Sequence, residues 1–391
     1  MSDSLLLHAR RLVDGAGHDG PGWLQVADGV IVASGSGPAV AAAGLADAVG
    51  SAGAAGIAGI ATVELDTVVP GFVDTHVHGA MGAEFSALGT DPAPAIEHHA
   101  RTGSTTLVAS LATGERTTTI ERMRELAPLV RSGALAGLHL EGPFLSVERR
   151  GAHNPALLRE PAPASVDELL EAADGTLVMV TLAPELPGAL DAIVRLHAAG
   201  VTVAIGHTAA SADRVRAAVV AGASVVTHLF NGMPPLHHRA PGPVGVALTD
   251  ERLVVELIGD GHHLDDEAID VARRAASGRY VLVSDAMAAT GLGDGRYRLA
   301  GSEVVVTDGA AMLADGSSLA GSSTPVAGAV ARLVRRGVDL SEIVAATSTT
   351  PVRSLGLAPR ALVAGAPADL LELTGPRVAR VMRRGSWLAS S

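Results

Sequence analysis

From Val68 onward the chain alternates short aliphatic runs with segments rich in Ala, Leu, Arg and Glu. Continuous aliphatic runs are typical of parallel strands buried on both faces, and the segments between them have the composition of helices. Eight such strands over about 220 residues approach the ~250 residues of a typical (β/α)8 barrel. The pattern predicts an α/β fold with a TIM-like barrel, and a doubly wound open sheet is the alternative. The predicted strands are Val68–Asp74, Thr105–Ala109, Ala136–Leu140, Thr176–Thr181, Val201–Ile205, Ser224–Thr227, Leu253–Ile258 and Tyr280–Val283.

Helices are predicted between most of these strands and after the last of them. The five inter-strand helices are Thr117–Arg131, Ser165–Ala173, Gly188–Ala199, Ser211–Ala221 and Asp265–Ala276, and two more follow at Pro325–Arg336 and Ser341–Ala346. Between Leu299 and Leu319 the chain returns to short strands with Asp-Gly turns at 308–309 and 315–316.

The two ends of the chain have a different pattern, with short apolar runs between Gly and Asp turns. This pattern is typical of antiparallel strands, so we expect both ends to pair into one small β-sandwich beside the barrel. The runs are Leu5–Leu7, Trp23–Val26, Val30–Ala33, Val63–Leu65, Asp369–Leu373 and Val378–Arg383. The predicted division is therefore 1–66 and 359–391 for the sandwich and 67–358 for the barrel.

Composition excludes several classes of function. The net charge of −12 argues against non-specific binding to nucleic acid or to a membrane surface. Cysteine is absent, so a metal would have to take histidine and carboxylate ligands. The N-terminal apolar run is too short for a signal peptide, and a cytoplasmic location is expected. The Ala/Gly-rich stretch at 39–62 lacks the Leu, Ile and Phe density of a membrane span and is interpreted as a flexible insertion or loosely packed loop.

Polar residues follow the predicted strands at their carboxyl ends. His76 and His78 end the first strand, and period two in a strand places both rings on one side. The other residues of this kind are Glu141, His207, His228 and Asp285. Each alone has a structural explanation, such as a hydrogen-bonded core histidine or an N-cap aspartate. The carboxyl ends of barrel strands meet on one face, however, and together these residues predict a site for Zn²⁺ or a similar divalent ion.

Several motifs between about Pro70 and Ser323 resemble those of the N-acetylglucosamine-6-phosphate deacetylases, a family of the amidohydrolase superfamily. The superfamily signature alone would not define a substrate, but the combination of Glu-Gly-Pro-Phe with Gly-Ala-His, and of His-Leu-Phe-Asn with His-Arg, is that of the deacetylase branch. The motifs are Pro-Gly-Phe-Val-Asp-Thr-His-Val-His-Gly at 70–79, His-Leu-Glu-Gly-Pro-Phe at 139–144, Gly-Ala-His-Asn-Pro at 151–155, Ile-Gly-His-Thr at 205–208, Thr-His-Leu-Phe-Asn-Gly-Met at 227–233, His-Arg at 238–239, Asp-Gly-His-His at 260–263, Val-Ser-Asp-Ala at 283–286 and Leu-Ala-Gly-Ser at 319–322.

The resemblance implies a role for each matching residue. It implies a main metal held by Glu141, His207 and His228, and a second metal position at His76 and His78 with Glu141 as the bridge. It implies Asp285 as the catalytic acid and base and His153 as a contact to the acetamide carbonyl. The implied substrate contacts are His153, Asn231, the backbone of Gly232, Arg239 and His263; Gly232 stands where Ala is common.

The reaction implied is hydrolysis of N-acetylglucosamine 6-phosphate to glucosamine 6-phosphate and acetate, with a metal-activated water. Zn²⁺ is the first choice of ion, one or two per chain, with Fe, Mn or Co as alternatives, and a homodimer is expected. Another amino-sugar phosphate, such as the galactosamine epimer, is an alternative substrate. A cyclic amidase would usually need a lysine near the end of the fourth strand, where Val180–Glu185 has none. A non-catalytic sugar-phosphate sensor would be expected to have lost Asp285 or a ligand.

Overall fold

The computed structural model describes residues 4–37 and 61–389, and the central feature of these ranges is a ring of eight parallel strands. The strands in these ranges are, in order, β1 Leu5–Val13, β2 Asp19–Ala27, β3 Val30–Ser36, β4 Ala61–Pro70, β5 Phe72–Val77, β6 Gly79–Ala80, β7 Ala83–Glu84, β8 Ser104–Ala112, β9 Gly137–Glu141, β10 Leu177–Leu182, β11 Thr202–Ile205, β12 Ala223–Val226, β13 Val254–Ile258, β14 Tyr280–Val283, β15 Gly295–Leu299, β16 Ser302–Thr307, β17 Ala310–Leu313, β18 Leu370–Thr374, β19 Arg377–Arg383 and β20 Ser386–Trp387.

The helices are α1 Ala93–Arg101, α2 Arg116–Arg131, α3 Pro163–Ala173, α4 Ala189–Ala198, α5 Ala212–Ala221, α6 Gly242–Thr249, α7 Asp266–Ala275, α8 Val326–Arg335, α9 Leu340–Val344 and α10 Thr350–Ser354. Short 3-10 turns occur at Val147–Arg149 and Pro155–Leu157, and a π-helical turn at Ala345–Thr349 joins α9 to α10. Within the described ranges, no helix has both the length and the apolar content needed to cross a bilayer.

The barrel consists of β5, β8, β9, β10, β11, β12, β13 and β14, each paired in parallel with the next. Every residue of β5, β8 and β9 is buried, as parallel strands covered by helices require. The ring closes just beyond β14, where the Asp285 amide donates to the His76 carbonyl at 2.9 Å and Val77 pairs with Ala286. The predicted barrel is confirmed, and the open-sheet alternative is wrong.

An amphipathic helix of the barrel buries one apolar face, as α8 illustrates. In α8 the buried residues are Val326, Ala329, Val330 and Leu333, which is the i, i+3, i+4, i+7 spacing of one helix face. Three of the described helices were not predicted: α1, α6 and α10. The segment Gly242–Leu248 of α6 is buried on all sides, so its sequence has no polar face that would indicate a helical period.

Both ends of the chain join in one seven-stranded sheet in the order β20, β19, β18, β4, β1, β2, β3. The N-terminal β4 lies in the middle, parallel to β1 and antiparallel to the C-terminal β18. This sheet has its own apolar cluster, with Leu24, Ile31 and Met382 among its buried members. The predicted pairing of the two ends is confirmed. The insertion predicted at 39–62 lies outside the described residues up to residue 60, and the domain limits at 66 and 358 stay predictions.

A small antiparallel sheet of β15, β16 and β17 follows the last barrel strand. Its turn at Asp308-Gly309 lies between β16 and β17, as the sequence predicted. Leu299 at the end of β15 and Leu319 after β17 lie at a cavity at the carboxyl ends of the barrel strands. The insert therefore covers the face on which the polar residues converge.

Candidate metal centre and active site

The carboxyl ends of five barrel strands deliver the polar residues. His76 is the last residue but one of β5, and Glu141 is the last residue of β9. His207, His228 and Asp285 each lie two residues beyond the end of their strand. Those three have left-handed backbone, with φ of +46°, +26° and +49°. A non-glycine residue adopts this conformation only where its surroundings impose it, and such positions concentrate at functional sites. Here the sharp turn after each strand directs the side chain toward the barrel axis.

Glu141 stands at the centre of the cluster and contacts imidazoles from two directions. Its Oε1 lies 3.1 Å from His207 Nε2 and 3.0 Å from His228 Nε2. Its Oε2 lies 3.1 Å from His78 Nε2, and Oε1 is 3.5 Å from His76 Nε2. Two groups of three potential ligand atoms result, each with all atoms within 4.8 Å of one another: His76, His78 and Glu141, and Glu141, His207 and His228. Glu141 belongs to both, so it can bridge two ions.

The outer ring nitrogens of two histidines, His78 and His207, show which form the inner nitrogens take in the neutral rings. The carbonyls of Ser110 and Arg149 accept hydrogen bonds from Nδ1 of His78 and His207 at 3.2 and 2.8 Å. A carbonyl can only accept, so in the neutral ring Nδ1 carries the proton and the Nε2 lone pair faces the centre. His207 Nε2 and His228 Nε2 are 3.1 Å apart, and His76 Nε2 and His78 Nε2 are 3.2 Å apart. Converging lone pairs of this kind fit a cation between them.

The charges in the cluster also favour a bound cation. Although burial lowers it, the hydrogen bonds and charges of Asp285 and Glu141 raise the pKa of His78 to about 9. The cluster therefore favours positive charge at its centre, and a divalent ion supplies such charge. The donors are imidazole nitrogens and carboxylate oxygens without a thiolate, which suits Zn²⁺ and other first-row divalent ions.

His153 differs from the four converging histidines. Its Nδ1 accepts the backbone N–H of Thr113 at 3.3 Å, so in the neutral ring the proton lies on Nε2. Burial lowers the pKa of His153, which favours that neutral form. Its Nε2 lies 3.4 Å from Glu141 Oε2, at the edge of the centre. His153 is thus arranged to donate a hydrogen bond to an oxygen atom beside the centre.

Asp285 faces the centre from the end of β14. Its Oδ1 lies 3.2 Å from His78 Nε2 and 3.5 Å from His76 Nε2. Burial raises the pKa of Asp285, but the neighbouring imidazoles of His76 and His78 outweigh burial and lower it to about 2. Burial raises the pKa of Glu141, but the imidazoles of His76, His153, His207 and His228 outweigh burial and hold it well below its usual value. Both carboxylates are therefore ionised at neutral pH, one able to act as a ligand and the other as a base.

A cavity of about 80 Å³ lies against the centre. This volume admits a group of a few heavy atoms, so a larger ligand must extend outward past the β15–β17 insert. The residues predicted from sequence that line it are His78, Glu141, His153, His207, His228, Asn231, His263 and Asp285. His76 is fully buried and does not line the cavity. Gly232 lies close to the centre, since a Cβ added to it would lie 3.0 Å from His207 Nδ1.

Two predicted substrate contacts have contrasting positions. His263 Nδ1 pairs with Asp260 Oδ2 at 2.8 Å, and this hydrogen bond and charge raise the pKa of His263 against the effect of burial. The His263 ring, which lines the cavity, therefore holds its proton more firmly than a free imidazole does. Arg239 lies instead on the exposed segment after β12, where its guanidinium contacts His238 Nε2 at 2.7 Å. Its predicted contact with the substrate stays a prediction.

Sequence reasoning assigned no role to three carboxylates that support the centre. Glu256 accepts from His76, Asp74 accepts from the amide and hydroxyl of Ser284, and Asp260 pairs with His263. Glu256 stands within an aliphatic run and Asp74 within a buried strand, and a carboxylate buried in a strand needs a partner. That pattern was the available signal.

The chain has no lysine at the end of β10 that could bind a metal. Glu185 there accepts hydrogen bonds from the Thr208 hydroxyl at 2.5 Å and from the Ala209 amide at 2.6 Å. It thus holds the segment that follows His207, and Glu141 takes the bridging position in the cluster.

Comparison with known proteins gives concordant results. Residues 67–388 match the model of the Amidohydrolase family. The chain is 37% identical over 362 residues to N-acetylgalactosamine-6-phosphate deacetylase of Escherichia coli O157:H7, with 90% of each chain covered. It is 37% identical over 296 residues to N-acetylglucosamine-6-phosphate deacetylase of Vibrio furnissii, with 74% of each covered. A mutant N-acetyl-D-glucosamine-6-phosphate deacetylase of Mycobacterium smegmatis, solved with N-acetyl-D-glucosamine-6-phosphate, superposes with a TM-score of 0.91 at 41% identity, over 98% of this chain and 99% of that one.

Proposed function

The chain belongs to the amidohydrolase family, and we propose that it removes the acetyl group from N-acetylglucosamine 6-phosphate, giving glucosamine 6-phosphate and acetate. The observation that carries the proposal is the position of Asp285, ionised and facing two groups of metal-ligand atoms that share Glu141. Hydrolysis of an amide needs both an activated water and a proton for the departing amine, and this arrangement addresses both requirements.

The residues that would hold the metal are Glu141, His207 and His228, with His76 and His78 for a second ion. We propose Zn²⁺, because imidazole and carboxylate donors in groups of three suit it. When bound, such an ion lowers the pKa of water and polarises a carbonyl oxygen.

Proton transfer is assigned to Asp285. Its carboxylate takes a proton from the attacking water and then gives that proton to the leaving nitrogen, so that one group serves as base and then as acid. Its lowered pKa ensures that it starts as a base at neutral pH. The Nε2–H of His153 donates to the acetamide oxygen, where negative charge develops as the water adds.

Recognition of the sugar phosphate relies on groups at and outside the cavity. The acetamide suits the small cavity at the centre, and the sugar then extends past Asn231, which lines it. The backbone of Gly232 is proposed as a further sugar contact. Paired with Asp260, His263 supplies positive charge suited to an anionic substrate. Arg239 is proposed as a phosphate contact because a guanidinium forms paired, charge-assisted hydrogen bonds with phosphate.

The galactosamine epimer is a second candidate substrate. The specific observation in its favour is the 37% identity to an N-acetylgalactosamine-6-phosphate deacetylase over 90% of both chains. The test measures acetate release from both 6-phosphates before and after chelation and after Zn²⁺ is restored. We expect a metal-dependent reaction with the larger kcat/KM for the glucosamine compound. A larger value for the epimer would assign the second substrate, and release of no acetate from either would refute the proposal.

The proposed assembly is a homodimer, as the family resemblance implies, and a cytoplasmic location stays a prediction. Light scattering should give twice the 39.3 kDa mass of the chain; the mass of one chain would contradict the dimer.

A further inference from the structure

Glu256 is a buried carboxylate that the proposed reaction does not use. It lies in the middle of β13, between Val255 and Leu257, and is 1% exposed. The rest of that strand is aliphatic. Transfer of a carboxylate into such surroundings is unfavourable by several kcal/mol unless the group is paired or hydrogen-bonded, so its presence requires an explanation.

The partners of Glu256 belong to the metal centre. Its Oε2 accepts a hydrogen bond from His76 Nδ1 at 3.1 Å and another from the backbone N–H of His228 at 3.3 Å. Its own carbonyl accepts the amide of Leu229 at 2.8 Å. Among the described residues, no arginine forms an ion pair with it. The side chain therefore connects one histidine from each group of ligand atoms.

From this geometry we infer that Glu256 is a positioning residue for the metal centre. It holds the proton of His76 on Nδ1, which leaves the Nε2 lone pair directed at Glu141 and Asp285, 3.5 Å away from each. It also holds the backbone of His228 in its left-handed turn. A carboxylate on the outer nitrogen of a ligating imidazole both fixes its orientation and increases its basicity as a ligand. The inference rests on the proposed function only in requiring that the centre bind a metal.

The surroundings of His76 make an acceptor at this position necessary. Its ring packs edge-on to His139 and stacks on His228, with centroid distances of 4.8 and 5.6 Å. The ring is fully buried, so no solvent can replace Glu256 as the acceptor for Nδ1–H. If the proton moved to Nε2, it would occupy the position of a metal bond.

The experiment replaces Glu256 with Gln, which preserves shape and one acceptor oxygen but removes the charge. Metal-free protein is titrated with Co²⁺ alone, and binding is followed by visible absorption. We expect affinity to fall by about 10- to 100-fold, the usual effect of losing such an outer partner. The matched control is Glu342→Gln, which changes a carboxylate that accepts from the Tyr280 hydroxyl at 2.8 Å, away from the centre. We expect no change in Co²⁺ affinity in the control. Unchanged affinity in Glu256→Gln, or an equal loss in both variants, overturns the inference.

A measurement on the unaltered chain keeps the inference testable if Glu256→Gln does not fold. Long-range ¹H–¹⁵N spectra of the Zn²⁺-saturated protein report which nitrogen of His76 carries the proton. Protonation at Nδ1 supports the inference, and protonation at Nε2 overturns it. Because both readouts concern metal binding, they are independent of acetate release. A chain that binds Co²⁺ as expected yet releases no acetate would refute the proposed function while leaving the role of Glu256 intact.

Discussion

Asp285 shows how one residue acquires a chemical role from its surroundings. Its backbone is left-handed, and its amide is held by the His76 carbonyl. The Asp74 carboxylate accepts from the amide and hydroxyl of the preceding residue, Ser284, at 3.1 and 2.5 Å. These contacts fix the Asp285 side chain at the centre, and its imidazole neighbours keep it ionised. Its proposed function is thus separate from metal binding.

Replacement of Asp285 by Asn tests that separation. We expect kcat to fall by roughly 10²- to 10⁴-fold, because general acid–base catalysis contributes about that much. Metal content should stay near that of the unaltered chain, since Asp285 belongs to neither group of ligand atoms. Acetate release and metal analysis measure the two effects. Unchanged turnover would contradict the assignment.

Arg239 lies on an exposed segment, and its proposed contact is with the phosphate alone. We expect Arg239→Ala to raise KM for the 6-phosphate about 10- to 100-fold, the loss of one charge-assisted contact of ~1.5–3 kcal/mol. The unphosphorylated sugar should respond little. Steady-state kinetics with both sugars measure this, and Arg377→Ala, at another exposed arginine on β19, is the control. An equal response of both sugars would rule out the phosphate contact.

The pair of Asp260 and His263 gives a pH dependence. Burial lowers the pKa of His263, but the hydrogen bond and charge of Asp260 raise it above its ordinary value of 6.5. The imidazole of His263 is therefore charged below pH 6.5, and it loses its charge as the pH rises through its raised pKa in the folded chain. We therefore expect KM for the phosphorylated substrate to increase with pH above 6.5. In Asp260→Asn the increase should begin at lower pH. KM measured against pH for both chains tests this, and identical profiles would contradict it.

At the scale of elements, Gly71 joins the seven-stranded sheet to the barrel. It lies between β4 and β5, and its amide donates to the Asp369 carbonyl at 3.0 Å. A Cβ at this position would stand 2.1 Å from the Thr105 Oγ1 and 2.9 Å from the Thr105 Cβ. Thr105 is buried and cannot move away freely. The absence of a side chain at Gly71 thus allows β5 and β8 to approach where the sheet passes into the barrel.

We expect Gly71→Ala to lower the free energy of unfolding by about 1–3 kcal/mol, the usual effect of overpacking a buried contact. The matched control is Gly20→Ala in β2, where the nearest atom to a new Cβ is His18 Cε1 at an ordinary 3.7 Å. That variant should be nearly neutral. Urea unfolding of both measures the difference, and equal stability of the two would contradict the packing argument.

At the scale of the whole molecule, the metal centre links distant parts of the chain. Glu141 and His228 are separated by 87 residues, and His76 and Glu256 by 180. An ion bound by these groups binds the folded chain and not the unfolded one, so it stabilises the fold by mass action. Stability and cofactor binding are therefore coupled throughout the barrel.

Metal removal tests this coupling. With free Zn²⁺ at 100 times its dissociation constant, we expect about 2.7 kcal/mol of added stability, lost on chelation and restored with Zn²⁺. Glu141→Gln should reduce the response strongly, because Glu141 belongs to both groups of ligand atoms. Scanning calorimetry with and without chelator measures it. If the Tm of the unaltered chain did not change with Zn²⁺, the proposal that the chain binds an ion would be contradicted.

The sequence by itself determined the features that depend on local pattern. The aliphatic runs predicted all eight barrel strands, seven of them to within three residues, because strands covered on both faces are largely apolar. The first prediction, Val68–Asp74, was wrong in its bounds: it joined the end of β4, which belongs to the sheet of the chain ends, to the start of β5, because the apolar pattern continues across the boundary. The composition of Pro325–Arg336 predicted α8, whereas α6, buried on all sides, has no polar face that would indicate a helix. His76 and Glu141 were predicted to lie close together because the carboxyl ends of barrel strands share one face.

Only the tertiary structure decided how those residues meet. The sharing of Glu141 by two ligand groups, the protonated Nε2 of His153 and the contact of Glu256 with His76 depend on distances between strands far apart in sequence. The central position of β4 in the sheet of chain ends, and the exposed position of Arg239, are likewise consequences of folding. Local periodicity specifies which face of an element is buried, but the partner of a buried polar atom is fixed only when the whole chain closes around it.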